Sequence, residues 1–178
     1  MSTHDKWETP RWRRKPSSTT MDDGKEKAMP QHYTNELVFD LPEPLTDMTH
    51  HIFSLTEEGP SEFNVVITHN KIEQEETLQS FGKKLVTEMK KILPHYQLYS
   101  SGSMTVAGQE ALWLVYRWIQ HGQKLYQAQV SFFQDKEPGQ RQIIRITATS
   151  IGKFSDEWKQ TFEAFLASIK LRQDQIQQ

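Results

Sequence analysis

One predicted strand, residues 111–120, carries large apolar side chains on both of its faces. Because successive side chains in a strand point to opposite faces of a sheet, Trp113 and Val115 share one face. The other face carries four more large side chains, Leu112, Leu114, Tyr116 and Trp118. A sheet built on this strand must be covered on both sides, since monomers rarely expose large apolar patches. One cover is a long amphipathic helix, and the other is a second helix, a partner subunit or a ligand.

Segments of alternating apolar and polar residues, each bounded by turn residues, predict further strands. Together with the strand 111–120, the predicted strands cover residues 37–41, 50–55, 63–69, 97–106, 111–120, 124–133 and 142–149, of which 37–41 is the first in the chain. The segments after residue 97 follow one another through short turns that contain Gly108, Gly122 and Gly139. This spacing predicts an antiparallel meander.

Two amphipathic helices complete the pattern. The first spans 75–93 and ends at Pro94, and the second spans 155–171 with Ser155 as its N-cap. Apolar residues of the first recur at steps of three and four: Leu78, Phe81, Leu85, Met89 and Ile92. The order of strands, helix, meander and helix predicts an α+β fold, an antiparallel sheet of about six to seven strands packed with two helices.

The N-terminal residues 1–30 have almost nothing to bury, because they contain no Leu, Ile, Val or Phe. We therefore predict a disordered tail over 1–30, one folded domain over 31–172 and a frayed tail over 173–178. The basic cluster 12–15 fits a solvated tail, a short recognition motif or a nucleic-acid contact. A natural start at Met21 or Met29 would shorten or remove this tail.

The composition excludes several classes of protein. The absence of cysteine excludes disulfides, thiolate metal sites, a cysteine nucleophile and a lipidated N-terminal cysteine, and it favours a reducing compartment. A formal net charge of -2 does not provide the basic face of a non-specific nucleic-acid binder. The apolar runs are shorter than the roughly 20 residues of a membrane span. The N-terminus has no apolar core of a secretory signal.

Catalytic and metal-binding patterns are not found. His50 and His51 are adjacent on a predicted strand, so their side chains point to opposite faces and cannot hold one metal ion together. The segment 100–104 lacks the second glycine of a nucleophile elbow. The glycines are scattered and form no phosphate-binding loop. We therefore predict no metal, no cofactor and no enzymatic activity, and expect a binding or assembly module.

Residues 33–171 resemble the Eag family, the effector-associated chaperones of bacterial type VI secretion systems, whose DcrB-like domain has a Mog1/PsbP-type fold. The ordered series of segments carries this resemblance. Its members are Leu41-Pro42, the strand 52–55 followed by Gly59-Pro60, the strand 65–68, Leu93-Pro94, 106–108, 116–118 and the strand 127–130.

The resemblance implies a cytosolic homodimer that binds transmembrane segments near the N-terminus of a toxic effector. It would keep these segments soluble and help the effector's PAAR domain load onto the VgrG spike. The implied groove consists of His50, Ile52, Val66, Leu85, Met89 and Gln129. Gln129 would be a polar contact to the bound helix, or else a solvated strand residue; Leu85 would contact the client, or else belong to the ordinary core. His50 departs from a family that is more uniformly apolar at this position.

Two other functions remain open. One is a DcrB-like envelope protein with an unknown ligand, although such a protein would ordinarily carry a signal peptide and a lipidated cysteine. The other is a small hydrolase or ligand-binding domain, for which the sequence offers no nucleophile with a recognisable base.

Overall fold

A computed structural model describes residues 31–34, 37–41, 45–137 and 139–171. The predicted tails, 1–30 and 173–178, lie outside the described residues. The chain divides into two compact units, residues 1–47 and 48–178.

The first unit contains a two-stranded antiparallel sheet of β1 (Gln31–Tyr33) and β2 (Val38–Asp40). Across the turn, the backbone N–H of Leu37 donates to Thr34 Oγ1 at 3.0 Å. The predicted strand 37–41 corresponds to β2, but it is not the first strand of the chain. Sequence analysis did not predict β1, because its residues show no apolar alternation.

The second unit is a six-stranded antiparallel sheet with two helices, which confirms the predicted α+β class. Its strands are β3 (His51–Ser54), β4 (Phe63–Ile72), β5 (Gln97–Val106), β6 (Gln109–Gln120), β7 (Gln123–Glu137) and β8 (Gln140–Ile151). Their order in the sheet is β3-β4-β8-β7-β6-β5. The helices are α1 (Leu78–Ile92), which connects β4 to the far edge strand β5, and α2 (Asp156–Ser168), which follows β8.

Two-residue turns set the register of the meander. Ala107 and Gly108 join β5 to β6, and His121 and Gly122 join β6 to β7, all four with positive φ. Positive φ at both central residues is the requirement of a type I′ turn, whose twist matches that of the strands it connects. The pairing of β5, β6, β7 and β8 as consecutive neighbours confirms the predicted meander.

Helix α1 begins three residues later than predicted. Thr77 is its N-cap: Thr77 Oγ1 accepts from the backbone N–H of Ser80, and Ser80 Oγ accepts from that of Thr77. The acidic residues before Thr77 therefore precede the helix and do not occupy its first turn. The segment before the cap is held by Arg141, whose Nη1 donates to the carbonyl oxygens of Gln74 and Glu76 at 2.8 and 2.9 Å.

Each face of the sheet packs against one helix. On the α2 face, Phe63 stacks on Trp158 with ring centroids 5.0 Å apart, and Val130, Phe132 and Ile146 are buried beneath the helix. On the α1 face, Leu85 and Met89 pack against Leu114 and Tyr116. The apolar strand predicted at 111–120 lies in β6, and one helix covers each of its two faces.

Candidate binding groove

Helix α1 covers β6 but leaves part of the sheet beside it open, over β7, β8 and β4. The resulting groove has a volume of about 410 Å³. Its wall is the C-terminal half of α1, and its floor is the sheet. It is lined by Val66, Leu85, Glu88, Met89, Ile92, Leu93, Tyr116, Gln127, Gln129, Arg145, Thr147 and Thr149.

The wall of the groove is apolar because the helical stripe continues beyond the part of α1 that packs on β6. Leu85 and Met89 are buried against the sheet, whereas Ile92, one turn further along, is 72% exposed. Glu88 lies on the same wall and is exposed. A ligand in the groove would therefore contact apolar side chains on one side.

The floor of the groove carries two glutamines that are held by hydrogen bonds. Gln127 Oε1 accepts from the Trp118 indole N–H at 2.9 Å, and its Nε2 donates to Thr149 Oγ1 at 2.9 Å. Gln129 Oε1 accepts from the Tyr116 hydroxyl at 3.2 Å, and its Nε2 donates to Ser131 Oγ at 3.1 Å. Each amide keeps one further N–H and one further lone pair for other partners.

Two tyrosines lie close together at this end of the sheet, with the ring centroids of Tyr96 and Tyr116 5.4 Å apart. Burial raises the pKa of the Tyr116 hydroxyl, Tyr96 adds to this rise, and the positive charge of Arg145 opposes it. Burial also raises the pKa of Tyr96, whose hydroxyl is buried without a hydrogen-bond partner. Both phenols are therefore protonated and uncharged at neutral pH.

Arg145 is the cationic member of the lining. Its Nη2 donates to Asn70 Oδ1 at 2.7 Å, and its Nε is buried without a hydrogen-bond partner. Among the described residues, no carboxylate oxygen forms an ion pair with it within 4 Å. The floor thus combines two neutral amides with an uncompensated positive charge.

The structure brings four of the six predicted groove residues together: Val66, Leu85, Met89 and Gln129 all line the groove. Ile52 lies opposite Val66 in the β3–β4 register, so it shares the same face, but it is 67% exposed and outside the lining. His50 precedes β3, is exposed and does not line the groove.

Burial bears on the alternatives for two of these residues. Gln129 is 4% exposed, so its interpretation as a solvated strand residue is wrong. Leu85 is 7% exposed and packs in the core, as one of its two interpretations predicts. It also lines the groove, and its contact with a client stays a prediction.

Sequence analysis missed most of the polar floor. Thr147 lies opposite Gln129, and Thr149 opposite Gln127, in the β7–β8 register, and Arg145 lies two residues before Thr147 on β8. The alternation of β8 places these polar side chains on one face, which would be read as the solvent face. Only the sheet order, which puts β8 between β4 and β7, places them beside the predicted residues.

Two further properties bear on the kind of site. Within the part of the chain that the structure describes, no three His, Asp or Glu side chains come together as a metal site. Neither described helix has the length and apolar character that a bilayer span requires.

Three solved structures are similar to this chain. PA94 from Pseudomonas aeruginosa, a protein of unknown function, is 20% identical with a TM-score of 0.66, and the match covers 82% of this chain and 98% of PA94. LpqN of Mycobacterium tuberculosis, involved in cell envelope biogenesis, is 14% identical with a TM-score of 0.45, covering 68% and 82% of the two chains. CyanoP, the PsbP protein of Synechocystis sp. PCC 6803, is 12% identical with a TM-score of 0.40, covering 83% and 92%.

The similarity to PA94 shows a shared fold and leaves the ligand open. No curated protein sequence matches the chain. The DcrB family model matches residues 36–168, from β2 to the end of α2. Because this match spans most of the sequence, the chain belongs to the DcrB family.

Proposed function

We propose that this protein is an effector-associated chaperone of a bacterial type VI secretion system. In this role it binds the N-terminal transmembrane segments of a PAAR- or Rhs-type effector, keeps them soluble and promotes loading of the effector onto the VgrG spike. The proposal combines the DcrB family membership with the resemblance of the sequence to the Eag chaperones. It needs no catalytic group or cofactor.

The open groove beside α1 is the observation that carries the proposal. Ile92 on its wall and Ile52 beside Val66 are largely exposed aliphatic side chains on the same face of the sheet. A transmembrane helix presents aliphatic side chains all around, and burying them is worth about 25 cal/mol per Å². Contact between the client helix and these isoleucines would remove the apolar surfaces of both proteins from water.

The glutamines on the floor support the same function. Transmembrane helices that pack on one another often form hydrogen bonds through polar side chains between them. The remaining N–H groups and lone pairs of Gln127 and Gln129 offer such bonds, while their internal bonds to Thr149 and Tyr116 fix the orientation of the amides. A client helix would find neighbours similar to those in a membrane bundle.

We further propose that the protein acts in the bacterial cytoplasm as a homodimer. The edge strand β3 supports this assembly, because Ile52, Phe53 and nearby Leu55 are exposed large hydrophobic residues. An exposed edge strand with apolar side chains favours pairing with another chain. The dimer would thereby bring the client-binding face of each protomer next to its partner.

Co-expression tests the chaperone function. The full chain is expressed with the hydrophobic N-terminal segments of a PAAR- or Rhs-type effector encoded by a neighbouring gene, and the soluble, co-purifying segment is measured. We expect rescue by the unaltered protein. For Ile92→Glu we expect a loss of about tenfold or more, because a carboxylate buried against an apolar helix is strongly unfavourable.

Lys91→Glu is the matched control. Lys91 and Ile92 both lie in the last turn of α1, but Lys91 is outside the groove. A new acidic side chain is unfavourable at this helix end in both variants, and more so in Lys91→Glu, which also removes a cation, so the control is the more demanding of the two. We expect Lys91→Glu to retain the client. Failure of the unaltered protein to solubilise any such segment would refute the proposal, and equal losses in both variants would place the client elsewhere.

The groove volume favours one alternative, a DcrB-like envelope protein that binds a small amphipathic molecule. About 410 Å³ falls within the range of small-ligand pockets, roughly 300–1,000 Å³. Under this alternative, a small molecule would co-purify with the protein and hydrophobic segments would not.

A further inference from the structure

The positive charge of Arg145 is poorly compensated for a group on the floor of a partly apolar groove. Its guanidinium donates one hydrogen bond, to the neutral amide of Asn70, and its Nε is shielded from water without a partner. Within the described part of the chain, it belongs to no ion pair. Arg145 is half-buried, and a partly desolvated cation without a counter-charge is unfavourable, so an anionic group brought close to it gains free energy.

The other groups on the floor do not supply this charge. Tyr116 is protonated, and Gln127, Gln129, Thr147 and Thr149 are neutral. Glu88 is the acidic residue of the lining, but it lies on the helical wall, is exposed, and acts electrostatically on Lys84. The floor therefore presents a positive charge, while the wall presents mainly aliphatic side chains beside the exposed Glu88.

We infer that Arg145 binds a carboxylate carried by the transmembrane segment of the client, so that the groove prefers a segment with one acidic residue among aliphatic ones. This inference rests on the proposed chaperone function and names the chemistry of its partner. A planar guanidinium pairs with a carboxylate through charge-assisted, often bidentate, hydrogen bonds. Charge complementarity and the aliphatic wall would then be satisfied by the same segment.

A preference for a segment with one acidic residue would help the client before it reaches a membrane. An acidic side chain within an apolar segment is costly to insert into a bilayer, so it commonly requires a partner. Pairing with Arg145 would satisfy this side chain before the segment reaches a membrane. A segment without an acidic residue would bind through apolar contacts alone.

Two designed segments test this inference. Each consists of about 20 Leu and Ala residues, fused to a soluble reporter, with a central Asp in one and a central Asn in the other. Both are co-expressed with the full chain, and the co-purifying reporter is measured. For the unaltered protein we expect about tenfold more of the Asp segment than of the Asn segment. For Arg145→Gln we expect a ratio near one, and for Arg145→Lys a ratio between these two.

Lys71→Gln is the control for net charge. Lys71 is exposed on β4 and outside the groove, so its loss is expected to leave the preference for Asp intact. Far-UV circular dichroism verifies the fold of each variant. Equal retention of the Asp and Asn segments by the unaltered protein would overturn the inference while leaving the chaperone function standing. Failure to retain either segment would overturn both.

Discussion

Two neighbouring tyrosines differ in how their hydroxyl groups are satisfied. Tyr116 donates to Gln129 Oε1, which anchors one end of the groove floor, whereas the buried hydroxyl of Tyr96 has no partner. The rings are in contact within one apolar cluster, in which Tyr116 is buried and Tyr96 is half-buried. The pair therefore separates the contribution of a buried hydrogen bond from the cost of a buried hydroxyl that lacks one.

Replacing each tyrosine by phenylalanine should affect stability differently. We expect Tyr116→Phe to lower the free energy of unfolding by about 1 kcal/mol, because a buried hydrogen bond is lost and Gln129 loses a donor. We expect Tyr96→Phe to be neutral or stabilising by up to about 1 kcal/mol, since it removes an unsatisfied group. Urea unfolding measures both, and a similar destabilisation in the two variants would contradict the assignment.

Alkaline pH provides a second readout for Tyr116. Its pKa is raised by burial, so above the unfolded value of about 10 the unfolded chain releases a proton that the folded chain retains. The stability from this group is complete below about pH 10 and declines as pH rises, by at most about 1.4 kcal/mol per pH unit. Unfolding at increasing pH should show a shallower decline for Tyr116→Phe. An unchanged slope would mean that this hydroxyl does not resist ionisation.

At the residue scale, sequence reasoning found the apolar half of the groove better than the polar half. Leu85 and Met89 belong to a helical stripe, and such a stripe identifies a buried face without knowledge of the partner. Gln129 was identified through the family resemblance. Arg145, Thr147 and Thr149 were missed because polar residues that alternate on a strand indicate solvent unless the cover of that face is known.

Helix α1 shows how one element depends on interactions before its first turn. Thr77 and Ser80 form the capping box, and Arg141 holds the carbonyl groups of Gln74 and Glu76. The Arg141 guanidinium also lies 4.1 Å from the centroid of the Phe133 ring, so it links the start of the helix to β7. Since α1 forms the groove wall, its N-terminal anchoring bears on the site.

Removing the cap should destabilise the protein measurably. We expect Thr77→Ala to lower the free energy of unfolding by about 1 kcal/mol, because the backbone N–H of Ser80 loses its acceptor. Thr77→Ser keeps a hydroxyl oxygen and should restore most of this loss. Urea unfolding of the three proteins measures the effect. Unchanged stability in Thr77→Ala would indicate that the Arg141 contacts alone hold the start of the helix.

The elements themselves were predicted with unequal success, for physical reasons. The strand 97–106 was predicted with its observed bounds, since a helix-ending proline and a tight turn enclose it. β7 and β8 extend beyond their predicted ends, because pairing between neighbours continues into segments too polar to show alternation. α1 begins at its cap and not at the acidic residues before it, which resemble the favourable charges of a first turn.

At the scale of the whole molecule, the two faces of the sheet have different degrees of closure. The α2 face is filled by aromatic and aliphatic side chains, whereas the α1 face is closed over β6 and open over β7, β8 and β4. The sequence predicted that both faces of β6 would be covered. How far α1 reaches across the sheet depends on strand order, which a periodic pattern does not encode.

The second unit contains its own core, so we expect a chain of residues 48–178 to fold alone. All members of both hydrophobic clusters lie between Phe63 and Leu171. We expect the same urea midpoint and the same cooperative transition as for the full chain. Loss of cooperativity would show that residues 1–47 contribute to the core. A chain of residues 56–178, which lacks β3, should be less stable because β4 becomes an edge strand.

The position of β8 between β4 and β7 also determines when the groove can exist. The hairpins β5–β6, β6–β7 and β7–β8 join neighbouring segments, but β4 must wait for β8, since Phe63 pairs with Ser150. Pairings between residues far apart in sequence form slowly. During synthesis, Val66 on β4 meets Thr147 only after the chain through β8 has left the ribosome. Until β8 has been synthesised and has paired with β4, a nascent chain therefore has no groove.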